Sequence, residues 1–217
     1  MREDFHGELD QLRDELALMC GLACSAMERA VQSLLDVDLS LAEQVISDDD
    51  EIERLAMQCD ERACTLLALQ SPVARDLRTV ISGLRAAEKI KRMGDLAQHV
   101  AEVVRRRHPE PVVPEELAVK FAAMGHNAVA VARATQRAIT APAKVRAPSQ
   151  ERADDRTDEL QAELLADVSR AESGYSVRIG VDVALVARFI ERFADQAVAV
   201  TRQLDYVVTG EPPHQVV

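Results

Sequence analysis

The chain has 217 residues, a formal net charge of −11, 47% hydrophobic but only 3% aromatic residues, and no tryptophan. So acidic a surface is repelled by phosphate backbones and anionic lipid, which argues against nucleic-acid binding. No apolar run approaches the length that spans a bilayer, and Met1-Arg2-Glu3-Asp4 is not a signal peptide, so a soluble, cytoplasmic protein is expected.

Ala, Leu and Val dominate the apolar content, which favours closely packed helices. The spacing predicts six of them. The first runs from about Asp4 to Leu35, where Leu9, Leu12, Leu16, Met19, Ala23, Ala26, Ala30 and Leu34 form one stripe at intervals of three and four. Asp36-Val37-Asp38 breaks it, and Asp38 suits the cap of a second helix over about Leu39 to Gln70. Ser71-Pro72 reads as the start of a third, Ser71 as N-cap and Pro72 in the first turn. That helix ends near Arg105-Arg106-Arg107, where cations complement the helix dipole.

His108-Pro109-Glu110-Pro111 has the composition of a linker. A fourth helix starts near Pro114 and carries Leu117, Phe121, Met124, Ala128, Val131, Thr135 and Ala138 on one face. The pattern fails from Thr140 to Ser149, resumes from about Ser149 to Glu172, closes at Ser173-Gly174, and returns from about Tyr175 to Val208. The expected fold is all-α, with six helices in two pseudo-symmetric antiparallel three-helix bundles. Residues 1–108 and 114–210 form the two repeats, 109–113 the linker and 211–217 a frayed tail.

The two halves are related. With Arg78 opposite Arg178, the 23 positions to Val100 and Val200 hold seven identities, including Arg92 with Arg192 and Asp95 with Asp195. Helix packing accounts for shared Ala and Ile, but not for Arg and Asp in the same phase. Upstream the register shifts by five residues, and Asp49 then lies opposite Asp154.

Residues four apart share a helix face. Asp154 with Asp158, and Glu191 with Asp195, therefore form two carboxylate pairs that face each other if the fifth and sixth helices pack antiparallel. Such a cluster repels itself unless a cation is present, and hard oxygen donors suit Mg, Mn, Ca or oxidised iron. The competing reading is a solvated acidic face with Arg188 and Arg192 in surface ion pairs. In the first half Asp49, Glu53 and Asp95 repeat the pattern, but Lys91 stands where Glu191 stands in the second. Its ammonium is expected to pair with Asp95 or Asp49 in place of a metal, with Glu88 as a partial substitute ligand. His99 is left out of the ligand set, since a lone helical histidine is more often simply packed or hydrated. Cys20, Cys24, Cys59 and Cys64 show no CxxC pair and read as reduced, small buried hydrophobes in preference to a zinc site. No phosphate-binding loop, dinucleotide fingerprint, nucleophile elbow or catalytic triad can be assembled, so no catalytic residue is assigned, and no anion site is visible.

Leu69-Gln70-Ser71-Pro72-Val73-Ala74-Arg75-Asp76-Leu77-Arg78 with Lys91-Arg92-Met93-Gly94-Asp95, and Ile190-Glu191-Arg192-Phe193-Ala194-Asp195 with Tyr206-Val207-Val208-Thr209-Gly210-Glu211, resemble the PhoU family over nearly the whole chain. The family's typical segment reads Glu-Arg-Ile-Gly-Asp in each half. The resemblance implies two pseudo-symmetric three-helix bundles and no enzyme activity. It implies a negative regulator of phosphate uptake and phosphate-starvation signalling. Such a regulator is an adaptor between the ATPase of the phosphate ABC transporter and a sensor histidine kinase, reaching the membrane only through these partners and commonly forming a homodimer. Some members hold metal clusters through a carboxylate followed four residues later by Asp. Carried over, those motifs fall on Asp49 and Glu53, Asp154 and Asp158, and Glu191 and Asp195, with Lys91 and Asp95 as the departing pair. Arg92 and Arg192 support the motifs. The alternatives are a carboxylate-site metal-binding protein and a hydrolase dependent on Mg, Mn, Fe or Zn.

Overall fold

The computed structural model describes residues 2–141, 147–170 and 174–211, apart from the side chains of residues 2–4, 148 and 150. Among them are six helices and no strand: α1 (Arg2–Asp36), α2 (Leu39–Gln70), α3 (Ala74–Arg107), α4 (Glu115–Thr140), α5 (Ala147–Ser169) and α6 (Val177–Thr209).

The predicted apolar stripe of α1 is the buried one, from Leu12 to Leu34, with Leu9 packed against its edge. The helix stops because Val37 takes a left-handed conformation, φ 55°, which few β-branched residues adopt and which no helix can continue through. Asp38 then caps α2, its carboxylate accepting from the Leu41 amide at 3.0 Å. Asp38→Ala is expected to cost about 1 kcal/mol, measurable by urea denaturation, with an unchanged denaturant slope.

The boundary between α2 and α3 differs from expectation. Ser71 does not cap α3; it closes α2 in the left-handed region, φ 43° and ψ 54°. Val73, extended, precedes the first turn of α3 and offers no side-chain cap. Local composition identified the break but not which helix owned it, because a serine serves either end. The face predicted for α4 is buried from Leu117 to Ala138. The fifth helix begins two residues earlier than expected, at Ala147. It ends at Ser169, about three residues short of the expected Glu172, with Arg170 already outside the helix; residues 171–173 and the tail from 212 onward lie outside the described residues. Ser176 caps α6 by accepting from the Ile179 amide, and Gly210 closes it at φ 76°.

Helices α1, α2 and α3 pack on one another as one bundle, and α4, α5 and α6 as the other; α3–α6 and α1–α4 join them. A single hydrophobic core runs through both bundles, so the two repeats are fused and do not merely stand side by side. Helices α3 and α6 run antiparallel: Arg78 near the start of α3 lies over the Tyr206 ring near the end of α6, His99 stacks on Phe189, and Arg106 at the end of α3 reaches Asp182 near the start of α6. Helices α1 and α4 approach closely where Gly125 meets Val31, beside an Arg133–Glu28 ion pair of 2.6 Å.

Cys20, Cys24 and Cys59 are buried as expected, but Cys64 is exposed, and all four are free thiols. Cys20 Sγ lies 3.7 Å from the Ala132 carbonyl, at the junction of α1 with α4. The basic run at the end of α3 does more than complement a dipole: Arg106 and Arg107 each approach the buried Asp182 carboxylate at 3.4 Å and so tie the two bundles together.

Candidate functional site

The structure brings the second-half carboxylates together. Asp154 from α5 and Glu191 from α6 are each only 7% exposed, while Asp158 and Asp195 lie at the surface beside them. Burial, followed by the charges of Asp195, Asp158 and Glu191, pushes the Asp154 carboxyl up to about 7. Burial and Asp195 push Glu191 to about 7 as well, against the pull of Arg188. Asp158 is raised by burial and then by Asp195; Asp195 is raised by burial against Arg188, Arg192 and Arg202. The four carboxyls are thus within electrostatic range of one another where α5 packs on α6.

Glu191 gives one oxygen to Arg188 at 2.6 Å. Its Oε2, and Oδ1 of Asp154, are buried with no hydrogen-bond partner among the described residues. Buried carboxylate oxygens without a donor are costly, and these two are the atoms a hard cation would take. The donor set therefore fits a divalent or trivalent metal. Among the described residues, however, no three ligating groups are already closed into one coordination sphere.

The first half has the same framework with different chemistry. Asp49 is buried, and burial followed by Asp95 and Glu53 raises its carboxyl to about 6, with Lys91 opposing. Asp49 senses Asp95 as Asp154 senses Asp195, so the two sequence registers, shifted by five residues, correspond in space. Gly94 allows the close approach: a Cβ there would stand 2.6 Å from Asp49 Oδ1 and 3.0 Å from Ile52 Cδ1. Lys91 was expected to pair with Asp95 or Asp49; it pairs instead with Glu53 of α2, at 3.0 Å. Its four-carbon stem carries the ammonium past the buried acid to the exposed one. Arg92 pairs with Asp95 at 3.1 Å. Of the two arginines expected on the acidic face of α6, Arg188 does pair with Glu191, whereas Arg192 makes no ion pair at contact distance with a described residue. His99 packs on Phe189 with a ring-centroid distance of 5.2 Å.

A feature the sequence did not announce lies where α3 and α6 cross. Lys89, Lys91 and Arg92 from one helix and Arg192 from the other line an open cleft of about 420 Å³, with Glu88 and Asp95 at its side. Their only sequence signal is the match of Arg92 with Arg192.

The paired carboxylates, the fused bundles and the repeat agree with what the sequence most resembles. The PhoU domain model matches residues 16–104 and 121–204, one copy in each bundle. The chain belongs to the PhoU family. A phosphate-specific transport system accessory protein, PhoU homolog 2 of Mycobacterium tuberculosis, is 45% identical over 213 residues, covering 98% of this chain and 100% of the relative. Homolog 1 of Mycobacterium leprae is 44% identical over 98% of this chain and 96% of its own. The crystal structure of PhoU from Pseudomonas aeruginosa superposes with a TM-score of 0.87 at 26% identity, covering 95% of this chain and 100% of that one. The phosphate transport system regulatory protein PhoU from Streptococcus pneumoniae gives 0.83 at 25% identity, covering 95% and 98%. The fold of both is thus shared over nearly the whole chain. No helix among the described residues is long and apolar enough to cross a membrane.

Proposed function

We propose that this PhoU-family chain is a cytoplasmic negative regulator of phosphate uptake and phosphate-starvation signalling. It acts by reversible contact between the ATPase of a phosphate ABC transporter and a sensor histidine kinase, and not by turnover. The observation that carries this reading is full-length similarity, at up to 45% identity, to proteins named as accessories of phosphate-specific transport. The fold suits an adaptor: two fused bundles present long helical faces, and apolar side chains stand exposed at the α2–α3 corner, at Leu69 and Val73. Membrane association comes through these partners, and self-association as a homodimer fits the same use of exposed helix faces.

The cofactor proposed for the second half is a metal ion, of the Mg, Mn, Fe or Zn class, held by Asp154, Asp158, Glu191 and Asp195. Support comes from the two partnerless buried oxygens on Asp154 and Glu191. A bound cation would neutralise the cluster and hold α5 against α6. The first half, with Asp49, Glu53 and Asp95, is weaker for the same purpose, because Lys91 already supplies a positive charge to Glu53.

The regulatory reading is tested by affinity capture on the tagged full-length chain from cells grown at high and at low phosphate. Recovery of the transporter ATPase and of a sensor kinase is expected, with a ratio that changes with phosphate. Capture of neither partner under either condition overturns the adaptor role.

A further inference from the structure

The cleft at the α3–α6 crossing has a charge opposite to that of the molecule. The chain carries −11 overall, yet Lys89, Lys91, Arg92 and Arg192 line this cleft with Glu88 and Asp95, and Glu53 pairs with Lys91 at 3.0 Å. Within a Debye length of about 8 Å, local charge outweighs distant net charge. Arg92 and Arg192 come from opposite helices at matched positions of the repeat, so the cleft forms only when the two bundles are joined. Lys91 is decisive. Glu191 stands at the matching position of the repeat; a glutamate here, with Glu53 counted, would leave three cations against four carboxylates. With lysine the balance is four against three, so the sign of the local charge is reversed. Lys89 and Arg192 are paired with no carboxylate at contact distance among the described residues, so their donors are available.

We propose that this cleft binds an inorganic oxyanion that carries a proton, hydrogen phosphate being the matching species. Guanidinium groups match the oxygen geometry of a tetrahedral anion by paired N–H donors, and ammonium groups add point charge. The two carboxylates explain why the anion must be protonated. An ionised carboxylate only accepts hydrogen bonds. Beside Glu88 and Asp95, phosphate at neutral pH offers an O–H, whereas sulfate offers only further negative charge. The inference rests on the charge and shape of the cleft and does not depend on the adaptor role.

Equilibrium dialysis of radiolabelled orthophosphate against the full-length chain, freed of metal by chelator and kept at low ionic strength, tests it. Saturable uptake is expected, weakened by added salt, at least about tenfold weaker in Arg192→Gln from loss of a charge-assisted contact, and lost in Lys91→Glu. Arg54→Gln, an exposed residue of α2 paired with Glu51, should match the parent. Sulfate should compete at least about tenfold less well than phosphate, and Glu88→Gln, at a solvent-exposed position, should narrow that gap. Circular dichroism melts verify that each variant is folded. No saturable uptake, or uptake undiminished in both Arg92→Gln and Arg192→Gln, overturns the site. Equal binding of sulfate and phosphate overturns the selection for a protonated anion.

Discussion

The metal-free chain is expected to grow more heat-stable as the pH is lowered from about 8 to about 5, and metal is expected to erase that dependence. Asp154 and Glu191 rise from 3.8 and 4.5 to about 7, and Asp49 from 3.8 to about 6, each chiefly through burial. Between its unfolded and folded values, each acid holds more protons in the folded chain than in the unfolded one. Stability therefore falls as pH rises through this window, and the whole penalty is present above about 7. After allowance for screening, each of the two second-half acids contributes on the order of 2 kcal/mol, or about 5 °C in melting temperature for a chain of this size.

Exposed Glu51 and Glu163 and half-buried Asp167, lowered by ion pairs with Arg54 and Lys120, lose their contribution only at more acidic pH. Asp154→Asn should raise the metal-free melting temperature at about pH 8 by about 5 °C and flatten its pH dependence. Adding Mn or Mg should stabilise the parent by mass action and leave the variant almost unmoved. Lys91→Glu should do the reverse in the first half, lowering metal-free stability while adding metal uptake, as read by elemental analysis after dialysis. A parent protein with flat melting curves and no metal response would return the cluster to the status of a solvated acidic face.

A single methyl group at Gly125 is expected to loosen the junction of the two bundles. A Cβ there would stand 2.7 Å from both γ-methyls of Val31, a buried residue of α1. A β-branched side chain cannot rotate both methyls away, since every staggered rotamer leaves at least one toward α4. Overpacking of this kind costs about 1–3 kcal/mol, partly offset by about 0.5–1 kcal/mol from replacing glycine within a helix. With a net cost of up to about 2.5 kcal/mol, Gly125→Ala should thus lower the melting temperature by up to about 8 °C. Val31→Ala in the same chain should restore most of it, a coupling that a double-mutant cycle isolates. Gly180→Ala is the contrast: nothing lies within 4 Å of its Cβ position, so only the helix-propensity gain remains. A neutral Gly125→Ala would mean that the adjustment of α1 against α4 costs no more than the helix-propensity gain.

The helices were legible because a repeating apolar stripe is a local signal. Leu12 to Leu34 in α1 and Leu117 to Ala138 in α4 are buried as their spacing required. Asp38 was legible as a cap for the same reason, needing only the amide three residues on. Ser71 was misassigned because its two roles differ in backbone conformation and not in composition. Cys64 was misassigned because a small thiol leaves no periodic mark. The repeat displayed the two carboxylate sites as a pattern, and Asp49 and Asp154 proved equivalent in space as well as in register. The partner of Lys91 was not legible: three acids lay within reach, and side-chain length chose Glu53.

On its own the sequence determines the class of fold, the duplication, the family and the asymmetry at Lys91 and Glu191. These depend on residue type and on periodicity along one chain. Tertiary structure alone decided which carboxylate oxygens are buried without a partner, that Arg106 and Arg107 clasp Asp182 across the bundles, that Gly125 sets the α1–α4 approach, and that Arg92 and Arg192 meet in one cleft. The physical reason is common to all four. Desolvation, steric contact and local field act over a few ångströms, and the groups concerned are brought that close only when helices up to about one hundred residues apart in the chain are packed together.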